Sequence, residues 1–256
     1  MPGDGAVPHH PRDRPVRAMI LAAGLGTRLR PLTDHTPKCM VPLGGKPLLE
    51  HGILWLRKHG ITELVINLHH LPDVVTGYFG DGGRWGVRIT YSHEPQVLGT
   101  AGGVKNVEGL FRGPFFVWYG DNLSTCRLDR LWERHDAHGG VATIALHYRE
   151  DPAHSGIVAE DDQGRIVRFL EKPRPGEVFS HWVNAGIYVL EPAVLDAIPG
   201  GRAVDFAHEV FPGLLAAGRP VYGYRMAEDE HLWWIDGPDD LRRVEHLWRE
   251  IAGSGV

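Results

Sequence analysis

The amino-acid sequence predicts an α/β fold in which a mostly parallel, mixed β-sheet carries helices on both faces. In the first half, short apolar segments alternate with glycine-rich loops and amphipathic segments, an order that is typical of parallel sheets. From residue 141 onward, alternating segments are joined by turn signals such as Asp162-Gln163-Gly164, which indicates an antiparallel or mixed extension. The 256 residues, 43% of them hydrophobic, can bury the core of one large α/β domain or two small ones.

Each predicted element depends on a local pattern. Buried strands are predicted at the short apolar runs 18–23 and 63–68, and two further strands are predicted over residues 87–91 and 114–119. Helices are predicted where apolar residues recur at helical spacing or where Pro or Gly begins the segment: residues 47–60, 72–79 and 99–110. In the second half, strands are predicted over 141–148, 157–159, 166–171, 183–190, 221–226 and 232–235, and helices over 192–197 and 238–251.

Composition and charge exclude several classes of protein. Lys and Arg number 27 against 32 Asp and Glu, and the net charge of −5 argues against a nucleic-acid partner and a polybasic membrane anchor. No apolar run approaches the roughly 20 residues that span a bilayer, and residues 1–17 contain no apolar signal segment. We therefore expect a cytoplasmic protein with a disordered leader over residues 1–15. Two cysteines are too few for a disulfide scaffold or a four-thiolate zinc site.

The loop after the first predicted strand carries the strongest functional signal. Gly24 and Gly26 follow the strand, where glycines let backbone N–H groups approach phosphate oxygens closely. Arg28 adds a planar guanidinium suited to bidentate phosphate contact, and Lys38 adds a compact charge for a second phosphate. The loop is neither a Walker A motif nor a dinucleotide-binding fingerprint, because Leu29 stands where the latter needs its third glycine. An ordinary glycine-rich turn would explain two glycines, but not so many specified positions.

Two aspartates follow predicted strands and are candidate magnesium ligands. Mg²⁺ prefers one or two carboxylates together with phosphate oxygens, and ligands of open α/β sheets bind beyond the carboxyl ends of the strands. Asp121 lies just past the strand at 114–119, and Asp236 follows the strand at 232–235. Each alone is also typical of a turn or a helix start, so only their joint occurrence favours a metal site.

Other residues that could carry chemistry are expected to be structural. No set of the 16 histidines has the ligand spacing of a metal site, and we expect His135 and His138 to be solvent-exposed on one helix face. Cys39 is expected to pack under the first loop rather than to act as a reactive thiol. Core packing is favoured over sugar stacking for Trp233 and Trp234, because aromatic side chains bury large areas.

The first loop and five later motifs together resemble the nucleotidyltransferases that act on sugar 1-phosphates. The motifs are residues 21–51 (LAAGLGTRLRPLTDHTPKCMVPLGGKPLLEH), 98–103 (LGTAGG), 120–121 (GD), 169–173 (FLEKP), 184–188 (NAGIY) and 234–237 (WIDG). The resemblance extends from residue 18 to about residue 251 and implies a single Rossmann-like nucleotidyltransferase domain with a small sugar-binding extension. It divides the chain into a nucleotide-binding part, residues 16–140, and a sugar-phosphate-binding part, residues 141–256.

The resemblance implies which residues hold the nucleotide. The implied contacts with the nucleoside triphosphate are Leu21, Ala22, Ala23, Gly24, Gly26, Thr27, Arg28, Glu94, Gly99, Thr100 and Asp121. Within this set, Glu94 falls where family members read the nucleobase. The implied catalytic residues are Arg28 on the leaving phosphates, Lys38 on the reacting phosphates, and Asp121. Magnesium is the implied cofactor, with Asp121 and Asp236 as its ligands.

The sugar 1-phosphate is implied to contact Gly156, Glu171, Lys172 and Asn184.

Two residues depart from the family pattern around Asp121. Asn122 stands where many members have a small or acidic residue, and we interpret it as tuning of the metal site. Tyr119 replaces a frequent Asn or Ser and is expected to alter the fit of sugar or nucleotide.

Several functions stay open within and beyond this resemblance. The sequence is most similar to mannose-1-phosphate guanylyltransferases, which implies GTP with mannose 1-phosphate or a close relative such as a heptose 1-phosphate. Glucose-1-phosphate thymidylyl- or uridylyltransferase and N-acetylmuramate-1-phosphate uridylyltransferase are alternatives, and the assembly could be a homo-oligomer. A catalytically silent sugar-nucleotide-binding subunit would not need Arg28, Lys38 and both aspartates. A nicotinamide-dependent oxidoreductase would need an acidic residue at the end of the second strand, where Asn67, Leu68 and His69 stand instead.

Overall fold

The computed structural model describes residues 15–235 and 237–253. The predicted leader, apart from residue 15, and Asp236 therefore lie outside the described residues. In the described part the thirteen strands are β1 (Arg17–Leu21), β2 (Pro42–Leu43), β3 (Lys46–Pro47), β4 (Glu63–Leu68), β5 (Arg88–His93), β6 (Phe115–Tyr119), β7 (Asn122–Ser124), β8 (Ala142–Tyr148), β9 (Gly156–Glu160), β10 (Ile166–Glu171), β11 (Trp182–Leu190), β12 (Val221–Arg225) and β13 (Leu232–Trp234). The six α-helices are α1 (Leu48–Lys58), α2 (Pro72–Phe79), α3 (Gly99–Lys105), α4 (Leu128–His138), α5 (Phe211–Ala216) and α6 (Pro238–Gly253).

Nine of these strands form one mixed sheet. Seven strands follow the order β10-β9-β11-β6-β1-β4-β5, while β8 pairs with β11 and β12 pairs with β8. The strands β6, β1, β4 and β5 run parallel to one another, which confirms the parallel arrangement predicted for the first half. Strand β11 is antiparallel to β6, β8 and β9, so the second half is the mixed extension that the sequence predicted.

Helices cover both faces of the sheet, as predicted. Alternate residues of β1 point to opposite faces: Ala18 and Ile20 belong to one buried cluster, and Met19 belongs to another. The first cluster includes residues of α1, α2 and α4, and the second includes residues of α3 and α5. Both faces of the central strands β1 and β6 are therefore withdrawn from water, which explains why these two strands are mostly apolar, whereas β5 at the edge of the sheet alternates buried and exposed residues.

A third buried cluster lies under the first loop. It contains Leu29 from the loop, together with apolar residues that follow it in the chain and residues from β7 and α6: Val41, Leu43, Leu48, Leu123, Ile235 and Val244. The loop therefore packs on a buried cluster that is separate from the two clusters on the faces of the central sheet. This anchoring fixes where the glycines and cations of the loop can lie.

Several element predictions need correction. The segment at 232–235 does not close the central sheet, because β13 pairs with β7 in a separate two-stranded sheet. The predicted helix 99–110 ends at Lys105, before the poor helix formers Asn106 and Gly109, and residues Pro192–Ala197 form a 3₁₀-helix. The sequence also missed the π-helical turn at Phe206–Val210 and α5, which are too short to show a clear period.

Within the described residues, no helix combines the length and the apolar character that crossing a bilayer requires.

Candidate active site

A cavity of about 260 Å³ opens at the carboxyl ends of β1, β4 and β6. Its lining comes from several segments: Leu21, Ala22, Ala23, Gly24, Lys38, Cys39, Asn67, Val97, Gly99, Thr100, Tyr119, Asp121 and Asp205. The structure therefore brings most of the predicted nucleotide-contacting residues to one place. The larger depression of about 670 Å³, next to Arg17, lies away from all predicted site residues.

The first loop is held in a defined shape beside this cavity. The Ala22 N–H donates to Asn67 Oδ1 at 2.8 Å, and the Thr33 hydroxyl donates to the Gly26 carbonyl at 2.8 Å. Gly26 has φ 62°, and a Cβ there would lie 2.9 Å from the Lys38 Cβ, so only glycine is accommodated without strain. Thr27 and Arg28 follow in an exposed 3₁₀ turn at the rim, outside the cavity lining.

Lys38 and Asp121, two predicted catalytic residues, form an ion pair at the cavity. The Lys38 Nζ lies 2.5 Å from Asp121 Oδ2, and the two side chains are 12% and 32% exposed. Gly120 brings Asp121 to this position, because its N–H donates to the Leu21 carbonyl at 2.9 Å. A phosphate group and a cation would each find one member of this pair already oriented toward the cavity.

The donor set at Asp121 is compatible with a magnesium ion. Its carboxylate is partly exposed at the cavity, and Mg²⁺ in such sites takes one or two carboxylates and completes its shell with phosphate oxygens and water. No group of three His, Cys, Asp or Glu side chains suited to a metal ion occurs among the residues that the structure describes. The second predicted ligand, Asp236, lies outside them.

The opposite wall of the cavity is formed by the start of α3. Gly99 has φ 73°, and a Cβ there would lie 2.5 Å from the Val204 carbonyl, so this wall packs directly on the later segment. The Thr100 hydroxyl donates to Asp205 Oδ2 at 2.9 Å and accepts the Phe206 N–H at 2.9 Å. Asp205 also caps the π-helical turn that follows it, and it lines the cavity. The sequence did not identify Asp205 as a site residue.

Three of the predicted sugar-phosphate residues lie at neighbouring strand ends. Gly156 on β9 pairs with Glu171 on β10, and a Cβ at Gly156 would lie 2.5 Å from Glu171 Oε2. Next to them on β11, Asn184 Nδ2 donates to the Tyr188 hydroxyl at 3.0 Å, which in turn donates to the Tyr119 hydroxyl at 3.2 Å. This chain of hydrogen bonds connects Asn184 with Tyr119, which lines the cavity.

Lys172, the fourth predicted sugar-phosphate residue, is exposed and has φ 49°. Its backbone N–H donates to the Ser155 carbonyl at 3.1 Å. A left-handed backbone is unfavourable for a residue with a side chain and is found where surrounding structure or function requires it. The conformation ends β10 and turns the chain at the point where Glu171 meets Gly156.

Burial changes the acidity of several groups here. Burial raises the pKa of the Glu171 carboxyl, and Asp205 raises it further, while Lys172 and His208 act in the opposite direction. Burial is also the main cause that raises the pKa of Tyr119. Tyr119 therefore stays a neutral hydroxyl at physiological pH, able to donate and accept hydrogen bonds.

Glu94, which the resemblance places at the nucleobase, is buried outside the lining of the cavity. It is 3% exposed, and its Oε1 and Oε2 accept the Asn67 Nδ2–H at 2.8 Å and the Leu98 N–H at 2.9 Å. Glu94 is absent from the cavity lining, whereas Asn67 is part of it. Sequence reasoning used Asn67 only to exclude another class of enzyme, yet a polar residue at the carboxyl end of a buried strand was a signal in its own right.

Two predictions about single polar side chains are wrong. Asn122 is 2% exposed and donates through Nδ2 to the Ala185 carbonyl at 2.7 Å, so its side chain is turned into the core rather than toward a metal. His135 is 2% exposed with Nδ1 3.0 Å from the Thr143 hydroxyl, because this face of α4 packs on β8.

Cys39 and the two tryptophans have the packing roles that the sequence favoured. Cys39 is 3% exposed and lines the floor of the cavity, and burial raises the pKa of its thiol to about 12, so a reactive thiolate is disfavoured. Trp233 and Trp234 are partly buried against two of the hydrophobic clusters. Trp234 also contacts the His147 ring at 5.6 Å and the Arg149 guanidinium at 4.8 Å.

A glycine-rich loop, a lysine and an aspartate at the carboxyl edge of a mixed sheet are the features of nucleotide-binding α/β enzymes. The family described as Nucleotidyl transferase matches residues 17–249, and the chain belongs to this family. Its relatives include proteins named for transfer to mannose 1-phosphate and to glucose 1-phosphate, as expected for sugar-1-phosphate nucleotidyltransferases.

The curated relatives carry more than one substrate name. The chain is 40% identical to mannose-1-phosphate guanylyltransferase of Mycobacterium tuberculosis over 93% of its own length, and 37% identical to UTP–glucose-1-phosphate uridylyltransferase of Synechocystis, also over 93%. It spans 66% and 63% of the lengths of these two relatives.

Solved structures share the fold at low sequence identity. A Bacillus anthracis structure in complex with sucrose, whose name proposes a glucose-1-phosphate thymidylyltransferase, has a TM-score of 0.81 at 24% identity, covering 91% of this chain and 94% of the other. HddC from Yersinia pseudotuberculosis, crystallised with GMP-PN, has a TM-score of 0.75 at 22% identity, covering 91% and 99%.

Proposed function

We propose that this chain transfers a nucleotidyl group from a nucleoside triphosphate to a sugar 1-phosphate, with GTP and mannose 1-phosphate, or a close relative such as a heptose 1-phosphate, as the favoured substrates. The products are a nucleoside diphosphate sugar and pyrophosphate. One observation carries the proposal: a single cavity joins the first loop, Lys38 and Asp121 to Tyr119, whose hydrogen bonds lead to Asn184. A site with these parts can hold a polyphosphate and a sugar phosphate side by side.

The reaction needs charge neutralisation and positioning more than acid–base catalysis. An oxygen of the sugar phosphate forms a bond to the α-phosphorus, and the bond from that phosphorus to pyrophosphate breaks. Negative charge then increases on the leaving phosphates. In the proposal, backbone N–H groups of the first loop bind phosphate oxygens, Lys38 neutralises the reacting phosphates, and Arg28 moves from the rim onto the leaving group.

Magnesium is the proposed cofactor. Asp121 would hold the ion, and the family resemblance adds Asp236 as a second ligand. When bound, the ion would supply positive charge to the phosphate oxygens. For Lys38, the approach of the triphosphate replaces one anionic partner, Asp121, with another, so the lysine stays neutralised throughout.

The sugar phosphate is proposed to contact the β9–β10 hairpin and β11. Lys172 can neutralise its phosphate, while Glu171 accepts and Asn184 exchanges hydrogen bonds with sugar hydroxyls. A Cβ at Gly156 would lie 2.5 Å from Glu171 Oε2, so glycine at this position lets the Glu171 carboxyl lie directly against β9. Asp205, which no sequence pattern singled out, adds a carboxylate at the junction of the two substrates.

The choice of base and sugar is supported by sequence similarity more than by geometry. Similarity to the Mycobacterium tuberculosis relative, named a mannose-1-phosphate guanylyltransferase, supports GTP and mannose 1-phosphate as the substrates of this chain. Similarity to the Synechocystis relative supports UTP and glucose 1-phosphate as the second candidate pair. Thymidylyl transfer and transfer to N-acetylmuramate 1-phosphate are further alternatives within the same reaction. A catalytically silent binding protein is the alternative of another class.

The deciding experiment is pyrophosphate release from a matrix of GTP, UTP, dTTP and ATP against mannose, glucose, heptose and N-acetylmuramate 1-phosphates. We expect turnover that is highest with GTP and mannose 1-phosphate, lost with EDTA and restored by added Mg²⁺. Turnover with UTP or dTTP alone would keep the reaction and overturn the guanylyl preference. Binding of a triphosphate without release from any pair would support the silent binding protein instead.

A further inference from the structure

Two buried polar side chains, Asn67 in the lining of the cavity and Glu94 behind it, form a hydrogen-bonded pair that contacts both walls of the cavity. Asn67 lies near the end of β4, and its Oδ1 accepts the N–H of Ala22 in the first loop at 2.8 Å. Glu94 follows β5, and its Oε2 accepts the N–H of Leu98, directly before the Gly99 wall, at 2.9 Å. Asn67 Nδ2 donates to Glu94 Oε1 at 2.8 Å, which joins the two contacts into one continuous connection.

The surroundings fix this pair in place. Asn67 and Glu94 are 2% and 3% exposed, and the Glu94 N–H donates to the Leu68 carbonyl at 2.8 Å. The helix α3 crosses directly over them, since a Cβ at Gly103 would lie 2.6 Å from both Asn67 Nδ2 and Glu94 Oε1. This close approach explains a glycine inside α3, where its low helix propensity otherwise costs stability.

A residue that reads a nucleobase must present its acceptors to the ligand. Both carboxylate oxygens of Glu94 instead accept protein N–H groups, and the side chain contributes nothing to the cavity lining. Buried hydrogen bonds to a carboxylate are strong and costly to break. The geometry therefore suits a fixed support better than a contact that forms with each substrate.

We propose that Asn67 and Glu94 are positioning residues that hold the two walls of the cavity at a fixed separation, and that Glu94 supports the nucleotide rather than reading its base. The inference relies on the proposed function for the nature of the ligand, a nucleoside triphosphate. Loosening the pair widens the pocket for every triphosphate, so it weakens their binding without changing their order. Base preference then depends on residues that line the cavity, such as Val97 and Thr100.

The hydrogen-bond pattern allows a swap test. In Glu94→Gln, the N–H groups of Asn67 and Leu98 both point at the new side chain, which offers one carbonyl acceptor and one NH₂ donor, so one N–H group faces another. Rotating the Asn67 amide by 180° removes this clash of donors but turns the Asn67 NH₂ group toward the Ala22 N–H, where the same clash appears. In Asn67→Asp, two carboxylates face each other. In the double variant, the carboxylate now at position 67 accepts from the Ala22 N–H and from the side-chain amide now at position 94. The carbonyl of that amide accepts from the Leu98 N–H, so all three hydrogen bonds are restored, with donor and acceptor exchanged between the two positions.

The experiment measures calorimetric binding of GTP, UTP and dTTP, together with hydrogen exchange of the Ala22 and Leu98 amides. Each single variant should weaken binding of all three triphosphates roughly 10-fold or more and speed exchange of both amides. The double variant should recover most of the loss. Glu108→Gln, a change of the same chemistry at a carboxylate that is 50% exposed just after α3, is the control and should leave both readouts unchanged.

Three results would overturn the proposed positioning role. They are a changed order of affinities for the three triphosphates in Glu94→Gln, faster exchange of the Leu98 amide with the Ala22 amide unaffected, and a double variant that binds no more tightly than the single variants. If the wild-type chain binds no triphosphate, the proposed function fails. Amide exchange still decides the positioning role in that case, because it needs no ligand.

Discussion

At the scale of single residues, the site is built around charges that are paired before substrate arrives. Lys38 and Asp121 come from two different segments, 83 residues apart in the chain, and meet at 2.5 Å. Both are partly exposed, which limits what the pair adds to stability. Their arrangement instead keeps a cation and a carboxylate oriented in advance, and such preorganisation is what phosphoryl-type transfer requires of a protein.

Replacing either proposed phosphate-binding cation should slow the chemical step. We expect Lys38→Ala and Arg28→Ala to lower kcat roughly 100-fold or more, as for loss of a preorganised group at developing charge. The measurement is steady-state pyrophosphate release, with thermal unfolding to show that the fold is retained. Arg30→Ala is the matched control, since Arg30 lies in the same loop, is 64% exposed and pairs with Asp34 at 3.3 Å. A variant with raised KM and unchanged kcat would show that its cation only holds substrate.

At the scale of secondary-structure elements, close approach decides where glycine is required. Gly52 lies inside α1, and a Cβ there would be 2.9 Å from Nε1 of Trp118, a residue that is 1% exposed. Gly77 lies inside α2 with nothing within 4 Å of a Cβ. Close packing therefore requires glycine at position 52 of α1, whereas α2 has room for a side chain at position 77.

The two alanine variants should change stability in opposite directions. Gly52→Ala forces a methyl group against a packed indole and should lower the free energy of unfolding by about 1–3 kcal/mol. Gly77→Ala removes backbone freedom from the unfolded chain at no steric cost and should raise it by about 0.5–1 kcal/mol. Denaturant unfolding measures both. Stabilisation by Gly52→Ala would show that α1 moves away from β6 easily.

Elements were predictable where local pattern alone decides them. The segments β4, α2 and β10 have the bounds that the sequence predicted, because apolar runs or helical spacing end at turn-forming residues. The pairing of β13 with β7 was not predictable, since it depends on contacts between segments more than 100 residues apart. A three-residue strand carries no period from which its partner could be inferred.

At the scale of the whole molecule, the site residues also divide into those that a local motif predicts and those that depend on contacts between distant segments. The glycine loop, Lys38 and Asp121 were found from sequence because each belongs to a short motif. The partners that shape the cavity were missed: Thr100 meets Asp205 across 105 residues, and Asn67 meets Glu94 across 27. Such contacts follow from how strands are ordered in the sheet, and strand order is a property of the complete fold.

At the same scale, the burial of the Glu171 carboxyl makes the stability of the whole molecule depend on pH. Burial raises the pKa of this carboxyl above its ordinary value of 4.5, so the folded chain holds the proton more tightly than the unfolded chain does. The stability that the group contributes is fully present below the unfolded pKa and is lost as pH rises through the folded pKa. Glutamine keeps the shape of the side chain without acquiring charge.

Glu171→Gln should therefore raise the free energy of unfolding at pH 7, and the gain should disappear near pH 4, where the wild-type carboxyl is mostly protonated in both states. The same variant should raise KM for the sugar 1-phosphate roughly 10-fold and leave KM for the triphosphate little changed, because a charged acceptor for a hydroxyl is lost. Denaturant unfolding at both pH values and steady-state kinetics measure the two effects, with Glu133→Gln at an exposed position of α4 as the control. A stability gain with unchanged KM for every sugar 1-phosphate would remove Glu171 from the sugar pocket. Loss of stability at pH 7 would instead mean that the carboxylate is a net structural anchor between β9 and β10, and that its proposed burial cost is offset within the hairpin.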